Sequence, residues 1–358
     1  MRILVYEFAS GGGLVGRDVP ASLSREGAAM RAALVRDLAA MRCHEIVTTA
    51  DGRVRPALPP DVEVAVLPAG DRAREAALDR LIARADGVWL IAPESDRCLE
   101  RLAARAERQG KVLLGSGSRA IAGASDKARL PGRLAGAGVS HPVTQALGPR
   151  DDPPRHACRI GYPIVVKPAR GAGSHGVSLA RNAASLDRAV TLARSATRGA
   201  ILLQQYIAGT AASVSLLADG DRAVPLTLNA QTMGSSPPFA YRGGVTPLDH
   251  PLASRAIASA VAACHALPGL RGFVGVDFVL TDSAAVVIEV NPRVTTAYLG
   301  VRAALAENVA ALALAACGGD LPPAPQAVRQ VRFSASGRLA STAGLATPDA
   351  REREGTSK

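Results

Sequence analysis

The stretch VVIEVNPRVTT, residues 286–296, places polar side chains in a strand that is otherwise apolar. Successive residues of a β-strand point to opposite faces, so Glu289 and Asn291 are expected on one face together with Val287. An edge strand with one wet face would explain this pattern. Two oxygen ligands that point the same way would explain it equally, provided that partners exist elsewhere in the chain.

The preceding strand, GFVGVDFVL, supplies such a partner in Asp277. A turn predicted at residues 281–284 joins the two strands, and antiparallel pairing then brings Asp277 beside Glu289 and Asn291. Carboxylate and amide oxygens are hard ligands, suited to Mg²⁺ that is bound together with substrate phosphates. The apolar neighbours make a solvent-facing sheet the less favoured alternative. The sequence therefore predicts a metal site, with Mg²⁺ expected and Mn²⁺ as the alternative, formed by Asp277, Glu289 and Asn291.

Phosphate-binding elements precede the metal hairpin. Lys167 ends a strand that reads as buried, where a cation needs an anionic partner, and Lys127 offers a second positive charge. The loop GAGSHG follows, and its backbone N–H groups can fold over phosphate oxygens. The sequence has no G-x-x-x-x-G-K-[ST] motif, which excludes a P-loop protein. The predicted phosphate-binding residues of the loop are Gly171, Gly173, Ser174, His175 and Gly176.

Arg293 directly follows the metal strand. Its guanidinium could steady a transferring phosphoryl group or a developing acyl phosphate, and the alternative is an ordinary salt bridge. We predict that the catalytic residues are Arg293 and Lys167.

Composition sets limits on function. The chain has 358 residues, 48% of them hydrophobic and 20% charged, which is typical of a soluble globular protein with two or three domains. The net charge is +11, but the arginines are scattered and aromatic residues make up only 3%, so nucleic-acid binding is not favoured. The five cysteines are widely spaced and form no Cys-x-x-Cys pair, which favours a reducing cytoplasm. Neither a secretion signal nor a membrane span is predicted.

The order of elements changes along the chain. The first third alternates short apolar strands with amphipathic helices, which predicts a doubly wound parallel sheet. Antiparallel strands are predicted later. The segments 150–156 (RDDPPRH) and 234–247 (GSSPPFAYRGGVTP) are predicted to be loops, and one helix is predicted from Val301 to Ala316. The polar tail beyond about Ala340 is expected to be disordered.

Several motifs together resemble the ATP-grasp superfamily in order and spacing over about residues 1–330. They are SDK at Lys127, VVKP at Lys167, GAGSHG, LLQQYIAG, Asp277 and EVNPR. The resemblance implies an α/β plus α+β chain with the ATP-grasp fold, in which ATP lies between a lid and a C-terminal antiparallel sheet. The implied divisions are a Rossmann-like pre-ATP-grasp domain (1–117), the lid (118–203), the C-terminal subdomain with the metal site (204–335) and the disordered tail (336–358).

The resemblance also assigns the hinge, where Gln204, Gln205 and Ile207 would bind adenine, Gln204 by its side chain and Ile207 by its backbone. Members of the superfamily commonly have Glu where this chain has Gln204, and a ribose-binding Glu where it has Ala211. A Gln can still accept a hydrogen bond from the adenine amine. Ribose recognition is the feature that this departure puts in doubt.

Within the superfamily, YEFASGGG, LIAPESD, GSGSRAIAGASDK and NPRVTTAYLG look most like the ligases that join tyramine or tyrosine to L-glutamate in methanofuran and methylofuran biosynthesis. The implied reaction is phosphorylation of a carboxylate by ATP, followed by attack of an amine on the acyl phosphate. The expected partners are small molecules, an amino acid and an amine, with a homodimer left open and neither nucleic acid nor membrane expected. The expected localisation is cytoplasmic. Predicted substrate-binding residues are Gly11, Gly12, Tyr241, Arg242, Gly243, Thr295 and Thr296.

Three alternatives stay open. An ATP-grasp carboxylase that uses bicarbonate, or another amino-acid ligase, would share the fold and the phosphate chemistry. A nucleotide-binding regulator without turnover is a third interpretation. The complete set of lysines, metal ligands and Arg293 favours an enzyme over such a regulator, because binding alone does not need all of them.

Overall fold

A computed structural model describes residues 1–53, 56–171, 175–235 and 238–341. The described chain forms three sheets, of five, four and seven strands. Among these residues, no helix is both long enough and apolar enough to cross a membrane.

The N-terminal domain is the predicted doubly wound parallel sheet. Its elements are β1 (Arg2–Glu7), α1 (Ala21–Ala40), β2 (Glu45–Asp51), β3 (Glu63–Leu67), α2 (Asp71–Arg84), β4 (Gly87–Ile91), a 3₁₀ turn (Ser95–Arg97), α3 (Cys98–Arg108) and β5 (Val112–Leu113). The strand order is β3-β2-β1-β4-β5, with α1 on one face and α2 and α3 on the other. The order reverses at β1, so the carboxyl ends of β1 and β4 border the crevice where such sheets bind ligands.

Two short helices lead into the lid, which is a four-stranded antiparallel sheet covered by helices on one face. The elements are α4 (Ser118–Ser125), α5 (Leu130–Gly136), β6 (Thr144–Leu147), α6 (Pro153–Ile160), β7 (Ile164–Pro168), β8 (Ser178–Ala180), α7 (Ala183–Ser195) and β9 (Ile201–Gln205). The prediction of a loop at 150–156 was wrong, because α6 begins there with Pro153 at its first turn, a position that needs no N–H donor.

The C-terminal sheet has seven strands in the order β14-β13-β10-β11-β12-β15-β16. Its elements are β10 (Thr210–Asp219), β11 (Ala223–Ser235), β12 (Pro238–Thr246), α8 (Ala253–His265), β13 (Arg271–Leu280), β14 (Ala285–Asn291), α9 (Tyr298–Ala304), α10 (Val309–Cys317), β15 (Val331–Ser334) and β16 (Leu339–Ser341). Most of the predicted loop 234–247 is strand β12, paired with β11 and β15, so that prediction was also wrong. Gly243 and Gly244 fit there because a Cβ on either would overlap a neighbouring strand.

The helix predicted from Val301 to Ala316 is two helices. Leu305 is extended and pairs with Ala327, and Asn308 caps α10 by accepting hydrogen bonds from the backbone N–H groups of Ala310 and Ala311. An asparagine side chain that satisfies free N–H groups is a start signal that the apolar pattern concealed. The tail prediction also changes, since 339–341 pair with β15, whereas residues 342–358 lie outside the described residues.

The N-terminal domain and the C-terminal sheet share one apolar core, in which α1 packs with α9 and α10. A buried polar network crosses the same interface. Asp37 of α1 accepts hydrogen bonds from the Tyr298 hydroxyl at 2.6 Å and from Arg302 at 2.8 and 2.5 Å, and its backbone carbonyl accepts one from Asn308. The two domains are therefore joined by apolar packing and by a satisfied buried carboxylate.

Candidate active site

The β13–β14 hairpin carries the predicted metal ligands on one face. Asp277 pairs directly with Glu289, and Asn291 pairs with Gly275, which confirms the predicted hairpin. The register shifts beside Asp277 because β14 has one extra residue there, Ile288. This β-bulge corrects the predicted alternation, because Val287 lies in the core with Val290 instead of beside Glu289.

Two amide side chains hold Asp277 by hydrogen bonds. Asp277 accepts one from Asn291 at 3.0 Å and one from Gln231 of β11 at 2.9 Å. Burial and the neighbouring charge of Glu289 raise the pKa of Asp277 above its usual range. Two adjacent carboxylates repel each other unless a cation lies between them, so the donor set fits a hard divalent ion. No group of three or more His, Cys, Asp or Glu side chains arranged for a metal occurs in the described part of the chain. The predicted donor set adds the amide oxygen of Asn291 to the two carboxylates.

The two lysines lie next to this hairpin. Lys127 Nζ is 2.5 Å from Glu289 Oε2, and although burial opposes its charge, Glu289 raises the pKa of Lys127. Lys167 is buried and makes no ion pair with any other described residue. Burial, and then the charge of Lys127, lower the pKa of Lys167 to about 8. Burial opposes ionisation of Glu289 too, but Lys127 and Lys167 hold the pKa of that carboxyl below its usual range. A buried lysine without a carboxylate partner is suited to bind an anion.

The pattern of β7 and β9 explains why Lys167 faces the cleft, which is the space between the lid sheet and the β13–β14 hairpin. Ile164, Val166 and Leu203 pack into the lid core beneath α6 and α7. Alternation puts Lys167, and Gln204 of the adjacent strand, on the other face. Gln204 donates through Nε2 to Thr144 Oγ1 at 2.9 Å, which leaves its amide oxygen as the remaining acceptor.

The other hinge and loop residues are only partly placed. Gln205 Oε1 accepts a hydrogen bond from the Val143 backbone at 3.3 Å, and Ile207 is half-buried. In the glycine loop, His175 is exposed, and Gly176 is buried with φ +74°, where a Cβ would lie 2.5 Å from Ala196 Cβ. Gly171 is half-buried. The predicted ligands Gly173 and Ser174 lie outside the described residues.

Arg293 is bound to the N-terminal domain. Its Nε and Nη2 donate to the two oxygens of Glu94, at 2.7 and 3.0 Å, and Nη1 donates to the Val294 carbonyl. Glu94 is 5% exposed and lies just beyond the carboxyl end of β4. The paired charge raises the pKa of Arg293 although burial opposes it. Arg293 therefore does make a salt bridge, and that salt bridge holds its guanidinium at the cleft.

The predicted substrate residues fall into two groups, three glycines and four residues with polar side chains. Gly11 and Gly12 are buried in a tight turn where a Cβ on Gly11 would overlap the Glu7 carbonyl, and Gly12 has φ +98°. Gly243 is explained by the close approach of β15. Tyr241 and Thr295 are half-buried, and the buried Thr296 donates through Oγ1 to Glu26 of α1. Arg242 is exposed.

Sequence reasoning missed three residues that the structure places here, namely Gln231, Glu94 and Glu26. Gln231 lies on β11 opposite Gly244, and nothing in its local sequence links it to Asp277, which is 46 residues away. Glu94 is part of the quoted motif LIAPESD, directly after a buried parallel strand. Doubly wound sheets bind ligands at the carboxyl ends of their strands, so the position of Glu94 after β4 is a signal that could have identified it.

The described architecture and the site define a class of nucleotide-binding proteins. A model of the ATP-grasp domain matches residues 124–297, and a model of the pre ATP-grasp 3 domain matches residues 44–121. An ATP-grasp superfamily protein from Archaeoglobus fulgidus superimposes with a TM-score of 0.67 at 26% identity, covering 93% of this chain and 92% of that one. This chain belongs to the ATP-grasp superfamily, which confirms the resemblance and the fold expected from the motifs.

Two relatives are informative about the kind of reaction. A D-alanine–D-alanine ligase from Anaeromyxobacter sp. is 31% identical over 248 residues, covering 63% of this chain and 73% of that protein. The tyramine–L-glutamate ligase of Methanocaldococcus jannaschii is 35% identical over 101 residues, covering 28% of this chain. The chain spans about a third of the length of that ligase (32%). Both relatives are named as ligases.

Proposed function

We propose that this protein is an ATP-dependent carboxylate–amine ligase that forms an amide through an acyl phosphate. The observation that carries the proposal is the convergence of Lys127 and Lys167 on Asp277, Glu289 and Asn291 from three parts of the chain. This arrangement offers two cations for phosphate oxygens and hard oxygen ligands for a divalent ion. A pure binding protein needs no such complete set.

In this proposal the nucleotide lies between the lid (118–203) and the C-terminal subdomain (204–335). Gln204 accepts a hydrogen bond from the adenine amine, Ile207 contacts the base by its backbone, and Lys127 and Lys167 bind phosphate oxygens. Mg²⁺ fits the three oxygen ligands and would neutralise the charge of the transferring phosphoryl group. Asp277, Glu289 and Asn291 would hold it, and Mn²⁺ would fit the same donors.

Arg293, held by Glu94, faces the phosphoryl group and stabilises the charge that develops on the acyl phosphate. The carboxylate substrate attacks the γ-phosphorus of ATP, and ADP leaves. The amine then attacks the acyl carbon, loses a proton, and displaces inorganic phosphate. This route needs no nucleophile from the protein.

For the substrates we propose L-glutamate as the acid and tyramine or tyrosine as the amine, in biosynthesis of a methanofuran-type cofactor. The 35% identity to a tyramine–L-glutamate ligase supports this choice. Because the longer match is to a D-alanine–D-alanine ligase, D-alanine belongs in any test as both acid and amine.

The test is release of phosphate from Mg-ATP by the purified protein, supplied with L-glutamate, D-alanine or bicarbonate and a panel of amines. We expect phosphate only when an acid and an amine are both present, and a product whose mass equals their sum less one water. Phosphate release with bicarbonate and no amine would identify a carboxylase instead. Absence of release with every pair would overturn the proposal.

A further inference from the structure

Charged side chains in the cleft differ in whether the protein supplies a counter-charge. Lys127 pairs with Glu289, and Arg293 pairs with both oxygens of Glu94. Lys167 and Glu26 make no ion pair with any described residue. The proposed ATP phosphates would supply the counter-charge for Lys167. Glu26 is a carboxylate that still has no ion-pair partner among the described residues.

Packing fixes the direction of Glu26. The next residue, Gly27, lies so close to the buried Glu7 carboxylate that a Cβ on Gly27 would overlap it, which presses α1 against the end of β1. Glu26 is half-buried on the side of α1 that faces the C-terminal subdomain, where it accepts a hydrogen bond from the Thr296 hydroxyl. It lies in the second turn of α1, so it does not serve to offset the helix dipole. The Thr296 hydroxyl is neutral and forms no ion pair with Glu26, and the nearby Arg293 already pairs with both oxygens of Glu94.

The surroundings of Glu26 connect it to the phosphate end of the cleft. The Thr296 hydroxyl that donates to Glu26 lies three residues after Arg293 along the chain. Tyr241 packs against the apolar core that α1 shares with the segment after β14, and burial followed by the charges of Asp277 and Glu26 raises the pKa of its phenol. No hydrogen-bond acceptor for the Tyr241 hydroxyl exists within the described ranges. Glu26 is thus beside the groups where the acyl phosphate would form.

We propose that Glu26 binds the ammonium group of a substrate, with Tyr241 beside it. This rests on the proposed function, and it assigns a binding residue on the N-terminal domain that no motif indicates. A carboxylate with one oxygen bound to a hydroxyl can direct the other at a cation, and an aromatic ring beside it adds attraction. The ammonium group belongs either to the amine or to the amino acid that supplies the carboxylate.

The experiment compares wild type with Glu26→Gln, which keeps an acceptor for Thr296 but removes the charge. Glu75→Gln is the matched control, because Glu75 is exposed on α2 of the same domain. Binding of tyramine and of L-glutamate is measured by calorimetry in the presence of Mg-ADP. We expect Glu26→Gln to weaken one of the two ligands about tenfold to a hundredfold, as for loss of a charge-assisted hydrogen bond. The affinity of both variants for ADP should stay within twofold of the wild-type affinity.

Hydroxylamine separates the two sources of the ammonium group, because it is an uncharged nucleophile near neutral pH. If Glu26 binds the amine, Glu26→Gln should form hydroxamate from L-glutamate at the wild-type rate while its KM for tyramine rises. If Glu26 binds the amino acid, the KM for L-glutamate should rise in both reactions. Equal affinities of wild type and Glu26→Gln for both ligands would overturn the inference.

Two further measurements keep the inference testable. If Glu26→Gln does not fold, Glu26→Asp is used, where a shorter carboxylate should weaken the same ligand less. In wild type, 4-ethylphenol, which lacks the charge of tyramine, should bind at least tenfold more weakly if the amine is the ligand. Calorimetry does not require turnover, so a protein that binds these ligands but releases no phosphate would disprove the proposed reaction and leave the binding role standing.

Discussion

The two sides of the cleft are built in different ways. On the side of the proposed metal ligands, Asp277, Glu289, Asn291 and Arg293 come from a single hairpin and the residues just after it, so local register places them. On the facing side, Glu26 and Glu94 come from separate elements of the N-terminal domain and reach the C-terminal subdomain across an interface. Functional residues that strand register brings together are close in the sequence and form a recognisable motif. Functional residues that domain packing brings together are far apart in the sequence and form none.

The largest effect is expected at the proposed metal ligands. Glu289→Gln removes the charge of one proposed ligand and the ion-pair partner of Lys127, so phosphate release should fall at least about a thousandfold. The pair is partly open to solvent, so the loss of stability should stay below the about 3–5 kcal/mol of a fully buried pair. Phosphate release and denaturant unfolding measure the two quantities.

The control for that variant is Glu63→Gln, which breaks an exposed ion pair with Arg2 and should leave turnover unchanged. Near-normal phosphate release by Glu289→Gln would contradict the metal assignment.

A smaller loss is expected where the two sides of the cleft meet. Glu94→Gln leaves Arg293 with one charged partner fewer, and we expect kcat to fall about 10- to 100-fold, in the range found for residues that orient a functional group. The KM for ATP should change little. Steady-state kinetics separate the two parameters, and Glu94→Asp should recover part of the loss. A change in KM alone would show that the pair merely joins the domains.

Gly275 tests the packing that supports the hairpin. A Cβ at this position would lie 2.7 Å from Thr295 Cγ2, so Gly275→Ala should displace the segment after β14 and destabilise the protein by about 1–3 kcal/mol. Denaturant unfolding measures this, and the KM for the amino acid should rise with it. Gly136→Ala is the control, because no atom lies within 4 Å of its Cβ position and helix α5 should gain about 0.5–1 kcal/mol. Equal stability of the two variants would refute the packing argument.

The smallest effect is expected from a substitution that changes only the interface between the N-terminal domain and the C-terminal sheet. Tyr298→Phe removes one hydrogen bond to Asp37, which keeps its contacts with Arg302, so unfolding should become easier by about 1–2 kcal/mol. The kinetic constants should stay within twofold of wild type. A large fall in kcat would show that this network also positions the cleft.

Most of the fold was predictable because it depends on local patterns. Alternating apolar strands and helices indicated the N-terminal sheet, and the pairing of Asp277 with Glu289 followed from a hairpin with a four-residue turn. Strand β12 was missed because Pro238, Gly243 and Gly244 look like loop residues, although the two glycines fit where neighbouring strands approach closely. The break at Asn308 was missed because apolar residues flank it on both sides.

The site was predictable only where one element carries it. The partners Gln231 and Glu94 lie 46 and 199 residues from the side chains that they hold, and periodicity contains no information at such separations. The roles assigned to the glycine loop and the hinge stay predictions.

The extra residue Ile288 has a consequence for how this hairpin can vary. Residues on both sides of the bulge face the way that a regular strand without Ile288 would place them, with Val287 and Val290 in the core and Glu289 and Asn291 on the cleft. Deleting Ile288 would therefore leave every inward and outward assignment intact. A deletion one residue later would remove a ligand, and an insertion between Glu289 and Asn291 would turn one ligand into the core. Homologous chains can thus differ in length at this position and still keep the same chemistry.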